Sequence, residues 1–443
     1  MTPSGFGKSH LSSGLRHCQI VKLFVFTLSI TAGALSGLAA NLTWTTNSGA
    51  IYDGSGTWNQ GSPSATIGNG AWYNGISYGV TMNSGDNVIF GGTTLGTAST
   101  VTNGAGIMPG NITLLTNYTI GANSSAPAIT MNGGVITNAS SGPVFNCPIN
   151  GSFSYGSSGS GSIRFAGNGS QTAADSVTIM KGTLQIGNNG ATGGLGAAVI
   201  TNNGTLTWKR QGTVIVSNAV SGTGSVIYWG NNANFTVYSN QTYTGATTLM
   251  PTATNVPSSK LILAGNNVLP TNTDFSITQL YNANGSPVGA PTNSVTLDLN
   301  GYNQTLGSIA SDTNATATAT VVTNSSGNAV TLTLGGAGKA KFFSGLIGGN
   351  LSLVLNGSGS LLTLSNVANT YSGDTIINAG TLALKGGASI ASPNINLNAS
   401  MAVLDVAGVT GGYLLGNGQT LSGIGVVTGA VATAAGSVIA PGS

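Results

Sequence analysis

Between Asn356 and Leu384 the chain reads as three short apolar runs separated by Gly, Asn and Ser, and none has helical spacing. In Gly380-Thr381-Leu382-Ala383-Leu384 a turn glycine is followed by strict alternation, which puts Leu382 and Leu384 on one face of a strand. The same alternation occurs in Val295-Leu297-Leu299, Val330-Leu332-Leu334 and Leu351-Leu353-Leu355. These strands are closed by Asn-Gly, Gly-Gly or Asn-Ser, residues that accept the positive φ of tight turns. The pattern predicts an all-β chain.

Pieces of this unit recur. The pattern [Ser/Asn]-Gly-x-Gly-Ser-apolar starts at Ser158, Ser221 and Asn356. Gly-Thr-Leu starts at Gly182, Gly204 and Gly380, and Tyr-[Thr/Ser]-Gly-x-Thr at Tyr243 and Tyr371. Gly182 follows Ser158 by 24 residues, as Gly380 follows Asn356, and 22 residues separate Gly182 from Gly204. Asn-Gly turns alone suggest hairpins and an antiparallel sandwich. A period of roughly 20–25 residues argues instead for a parallel β-helix, whose rungs stack because none buries enough to fold alone. Pro251, Pro257, Pro270, Pro287 and Pro291 mark loops or an enlarged rung between Pro251 and Ser294, a place where binding surfaces can form.

Two stretches stand apart from the repeat. Residues 1–39 begin with Lys8, Arg16 and Lys22, continue as the apolar run Leu23 to Ile30, and end in small residues at Ala39 and Ala40. That order predicts a secretory signal rather than a membrane anchor. Residues 40–92 hold Trp44, Trp58 and Trp72. They form a Trp-rich N-terminal region that would cap the first layer of a solenoid, with glycan stacking by the three indoles as the functional alternative. Residues 93–443 are the repeat region.

Composition narrows the chemistry. Only 4% of the 443 residues are charged while 40% are hydrophobic, so a large core is possible with an Asn/Ser/Thr surface. Beyond residue 40 eight Lys/Arg balance eight Asp, and there is no His, no Glu and a single cysteine, Cys147. Ser-His and Cys-His nucleophile pairs and imidazole metal sites are therefore excluded from that region. A two-carboxylate glycosidase would have to use Asp alone. Gly335-Gly336-Ala337-Gly338-Lys339 starts like a calcium-binding repeat but has Lys in the ligand position. No Walker lysine follows the glycine-rich stretches, and a neutral chain lacks a basic footprint for nucleic acid. Asp298 and Asp405, between apolar neighbours on strands, are expected to point outward as solvated charges.

The segment Asn369 to Leu382, NTYSGDTIINAGTL, resembles the core of the autotransporter-associated β-strand repeat, also called the passenger-associated transport repeat. Leu297 to Gly307, Ala264 to Pro270 and Gly182 to Val226 resemble other blocks of the same proteins, and the Trp-rich start looks like their usual opening. The resemblance implies a right-handed parallel β-helix, a pectin-lyase-like solenoid, exported to the exterior or outer surface of a Gram-negative-type bacterium. It implies a passenger-type protein with a structural or adhesive role. The chain departs from the family in having no segment that reads as an outer-membrane barrel or a sorting tail. It stops mid-pattern at Ala440 to Ser443, which reads as an incomplete chain or another export route.

The expectation is a non-catalytic protein with no cofactor and no metal. Its partners would be extracellular glycans or cell-surface components, not nucleic acid, and it carries no integral membrane domain. The enzyme alternative is a polysaccharide-processing β-helix using cations such as Arg164, Lys181, Lys209 and Arg210.

Overall fold

The computed structural model describes residues 39–45, 54–60, 71–91, 99–158, 161–251, 259–278, 294–312, 320–365 and 368–442. The expected export signal lies outside them except for Ala39, as do Asp53, Pro257, Pro287 and Pro291. The described residues form strands and turns with no helix.

One coil shows how the chain winds. Leu351–Leu355, Leu361–Ser365 and Ala368–Asn369 each lie on a different face, and Thr375–Ile377 then returns beside Leu351–Leu355, paired in parallel. The next coil repeats the order through Thr381–Gly386 and Ser389–Ile390, and Asn394–Leu397 comes back to the first face. The protein is thus a parallel β-solenoid with three strands per coil. Among the described strands one pair is antiparallel, Asn41–Thr45 with Ala71–Tyr73. Ala71–Tyr73 is also the last strand of its sheet, so it covers an edge that parallel pairing leaves open.

The core is built from columns of inward residues, one from each coil. On the second face Phe145, Phe165, Ile186, Trp208, Tyr228 and Leu249 are register partners in succession, and all are buried. Each coil shields the column residue of the next, so burial accumulates along the stack. A fully buried side chain of this kind stabilises by about 1.5–3 kcal/mol, an upper bound given compact unfolded chains.

The repeated glycines form a column of their own, at a corner between the first and second faces. A Cβ on Gly204 would lie 2.4 Å from the Gly182 carbonyl oxygen, one on Gly224 2.2 Å from that of Gly204, and one on Gly245 2.3 Å from that of Gly224. The ladder runs through the same point, since Thr205 N–H donates to Gly182 (2.9 Å) and Ser225 N–H to Gly204 (3.0 Å). Gly307, Gly336, Gly357 and Gly380 repeat the arrangement further on. Adjacent strands are about 4.8 Å apart, and at this corner that spacing leaves no volume for a side chain.

The Asn-Gly turn signal has a different outcome from a hairpin. Leu299 to Tyr302 closes a tight turn, with Asn300 and Gly301 at φ 50° and 88° and Tyr302 N–H donating to Leu299 at 2.9 Å. The strands on either side pair with other coils: Val295–Asp298 with Ser259–Leu263, and Gln304–Leu306 with Val330–Leu334. The turn redirects the chain to its next face.

The first face is interrupted once within the described residues. Its nine-stranded sheet stops at Val220–Ser221, and a seven-stranded sheet begins at Gln304–Leu306. Between them Asn240–Thr244 and 267–272 continue the coil without forming strands. The break coincides with the proline-rich segment, where Pro251 ends the strand Thr247–Pro251.

The glycine corner is directly testable. Gly204→Ala or Gly357→Ala should lower the urea midpoint by the equivalent of about 1–3 kcal/mol, because a rigid carbonyl must move. Gly190→Ala, whose Cβ would meet nothing closer than 3.9 Å, should change it little. Equal effects in all three variants would remove the steric role.

Candidate functional site

The tryptophans of the N-terminal region come together, but inward. Trp44, Trp58 and Trp72 are 0–1% exposed and pack edge-to-face, with Trp44–Trp72 centroids at 5.1 Å and Trp58–Trp72 at 5.9 Å. Phe90 sits among all three. The Trp44 indole N–H donates to the Gly54 carbonyl at 3.0 Å, and that of Trp58 points at the Met82 sulfur at 2.9 Å. No ring face is open to a sugar in this packing. Among the described residues the aromatics that reach the surface here are Tyr73 and Tyr78, stacked at 4.5 Å beside Ile76, which is 87% exposed. Indole clustering was legible from sequence proximity, whereas the direction in which the rings point was not.

The most specific repeat motif is also internal. Tyr371 is fully buried and its hydroxyl meets Thr375 Oγ1 at 2.6 Å; Tyr243 and Thr247 make the same 2.6 Å contact. Thr247 is in turn 2.9 Å from Thr273 one coil on. The spacing of four lets the strand's first threonine turn inward and satisfy a phenol that would otherwise be an unpaired buried donor. Gly373 of the motif has the Leu351 carbonyl oxygen 2.5 Å from where its Cβ would be. Every fixed residue of the motif therefore serves the interior of its coil or the contact with the coil before it.

The carboxylates are dispersed and mostly occupied with backbone. Asp86 is 5% exposed and accepts from the N–H groups of Ala40 (2.9 Å) and Asn83 (2.8 Å). Asp298, expected to be solvated, is 4% exposed and accepts from Asn300 N–H at 2.9 Å and Ser325 N–H at 3.0 Å. It does not line the core, but the turn of the following coil covers it. Asp405 stays partly open and accepts from Ala407 N–H at 3.1 Å. Asp274 is shared by Lys339 (3.0 Å) and Lys341 (3.4 Å), with Ser308 on its other oxygen at 2.8 Å. Among the described residues no three His, Cys, Asp or Glu side chains gather as a metal site.

Four cations lie on successive coils. Arg164 projects outward from the strand Ser162–Phe165, Lys181 ends Ser176–Lys181, and Lys209 and Arg210 sit on Thr205–Val216. Arg210 is tied down: its guanidinium donates to the carbonyls of Gly193 and Ala191. Lys209 Nζ lies 3.6 Å over the Trp229 ring. Burial, and then the nearby Arg164 charge, pull the Lys209 ammonium below its ordinary value.

The interrupted first face leaves an open groove of roughly 420 Å³ lined by Asn240, Gln241, Thr242, Thr244, Asn267 and Asn272, among others. Its amides are largely engaged, as where Gln241 donates to Asn218 and Ser239 and Asn267 accepts from Thr305 N–H. No titratable side chain lines it, so it could hold a polar ligand by hydrogen bonds but supplies no acid or base.

Comparison with known families places the repeat. Residues 353–384 match the family model "Passenger-associated-transport-repeat". The matched stretch spans nearly one and a half coils and contains the Tyr371–Thr375 contact and the glycine corners at Gly357 and Gly380. No curated protein and no solved structure matches the chain significantly. Among the described residues no helix is long and apolar enough to cross a membrane.

Two predictions concern these buried groups. Thr375→Val leaves the Tyr371 phenol without its partner and should cost about 1–3 kcal/mol, whereas the Tyr371→Phe/Thr375→Val pair should cost less than the sum of the singles in urea unfolding. The second concerns alkali. Burial pushes the Cys147 thiol from 9.0 up to about 12 and the Tyr413 phenol from 10.0 up to about 12. Both acids stay protonated in the fold after the unfolded chain has lost the proton. Stability is therefore complete below about pH 9 and falls as pH rises towards 12, visible as a dropping urea midpoint. Cys147 should react with thiol reagents only after unfolding.

Proposed function

We propose that this chain is the exported, non-catalytic passenger-type β-solenoid of a Gram-negative-type bacterium, acting at the cell exterior as a structural or adhesive element. The observation that carries the proposal is the use of the transport repeat: its tyrosine and threonine satisfy each other inside the coil, and its glycines are taken up by the contact of one coil with the next. What the fold then presents is a long hydrogen-bonding surface interrupted by loops. The dispersed aspartates, among them Asp86 and Asp298 engaged with backbone and Asp274 with lysine, support the absence of catalysis. Residues 1–39 would direct export, and residues 40–92, with the buried tryptophan cluster, would close the first coils against water.

Glycan contact, if the protein has it, belongs to the outer surface and not to Trp44, Trp58 and Trp72. The test is incubation of the purified chain with plant, algal and bacterial polysaccharides, together with adhesion of cells with and without it. No new reducing or unsaturated ends and weaker adhesion of the deletion strain are expected. Reproducible depolymerisation of any substrate would sink the non-catalytic reading.

A further inference from the structure

The charges of this neutral chain are segregated. Four of the eight Lys/Arg beyond residue 40 fall between Arg164 and Arg210, and the one carboxylate in that interval is Asp175. Asp175 is held by its own turn, accepting from Thr172 N–H at 2.7 Å. No carboxylate pairs with Arg164, Lys181, Lys209 or Arg210 among the described residues, whereas Lys339 and Lys341 converge on Asp274. The rest of the chain beyond residue 40 has seven Asp against four Lys. Concentrating half the available cations on adjacent coils raises the energy of the empty surface, and an anion would relieve it.

The cations lie along the stack. Val144, Arg164, Gln185 and Thr207 are register partners on the outer side of the second face, and Lys209 is the next outward residue after Thr207. Arg164 and Lys209 are thus two coils apart, about 9–10 Å measured along the stack. Both are half-buried, so their heads are set and not freely sweeping. Gly142, one coil earlier, makes room for the guanidinium: a Cβ there would approach Arg164 Nη2 to 3.0 Å. Trp229, the register partner of Lys209, holds the ammonium over its ring.

We propose that the outer side of the second face from Arg164 to Trp229 binds a linear acidic polysaccharide running along the stack. Arg164 and Lys209 contact its carboxylate or sulfate groups, and Trp229 positions Lys209. Arg164 offers a planar fork suited to either anion, and Lys209 a point charge. A polymer with charges at intervals meets both cations at once, which a small anion cannot. Duplex nucleic acid carries one charge per about 1.7 Å and needs a broader basic surface than two contact cations with Val144, the buried Gln185 and Thr207, and Trp229 as their neighbours. The reading goes beyond the structural or adhesive role and requires no catalysis.

The full chain is titrated calorimetrically at low salt with alginate, dextran sulfate, neutral dextran and a DNA duplex. Binding to alginate, dextran sulfate or both, weakened by salt and absent with dextran, is expected; which of the two binds identifies carboxylate or sulfate. Arg164→Gln/Lys209→Gln should weaken it at least about tenfold through loss of two charge-assisted contacts. Lys260→Gln/Lys385→Gln, which removes the same charge elsewhere, should leave it unchanged. Trp229→Leu should give an intermediate loss, and unaltered circular dichroism and melting verify folding of each variant. No binding to either acidic polymer, equal loss in the two double variants, or tighter binding to DNA would overturn the proposal. Cleavage of the bound polymer would instead overturn the non-catalytic reading and leave the site standing.

Discussion

Everything in this solenoid depends on the spacing of hydrogen-bonded parallel strands, about 4.8 Å from one coil to the next. At the corner occupied by Gly182, Gly204, Gly224 and Gly245, that spacing puts each Cα against the carbonyl of the preceding glycine. Only hydrogen fits there. The corner fixes the registry of the ladder, and with it which residues face inward in the second-face column from Phe145 to Leu249. A shift of one residue would turn the core residues outward, so the glycines guard the hydrophobic pattern as well as the turn.

The same spacing accounts for the scarcity of charge. A side chain repeated in each coil stands beside its own kind, which is repulsive for Lys or Asp and self-complementary for Asn. Asn356, Asn378 and Asn398 show the result, each amide donating to the one before at 2.6 and 2.7 Å. Asn41, Asn87 and Asn111 form a second such ladder. Aspartate persists where it serves a single turn, as Asp86 and Asp298 do by accepting two backbone N–H groups each. Against this background Arg164 and Lys209, with no carboxylate partner among the described residues, are an exception to the economy of the fold, and a bound anion is the role proposed for them.

Much of the fold was legible because its causes are local or periodic. Alternation in Leu351-Leu353-Leu355 and Val330-Leu332-Leu334 predicts inward columns, and both are found. The recurrence of Gly-Thr-Leu predicts stacking, and Gly204, Thr205 and Leu206 lie directly against Gly182, Thr183 and Leu184 of the preceding coil, whereas Tyr-x-Gly-x-Thr closes a contact within its own coil. Asp298 was misjudged because burial of an outward residue depends on what the next coil lays over it. The Asn300-Gly301 turn carries a true local signal, yet its flanking strands found partners from other coils, which no local rule specifies.

The sequence by itself therefore determined the strand class, the repeat length, the glycine positions and the absence of imidazole and glutamate chemistry beyond residue 40. These follow from residue type and order alone. Only the tertiary structure decided that the three tryptophans face inward, that the first face breaks between Val220–Ser221 and Gln304–Leu306, and that Arg164 and Lys209 share one outer surface. Those outcomes depend on which coil lies beside which, and in a solenoid a residue's nearest neighbours are about a coil length away in the chain.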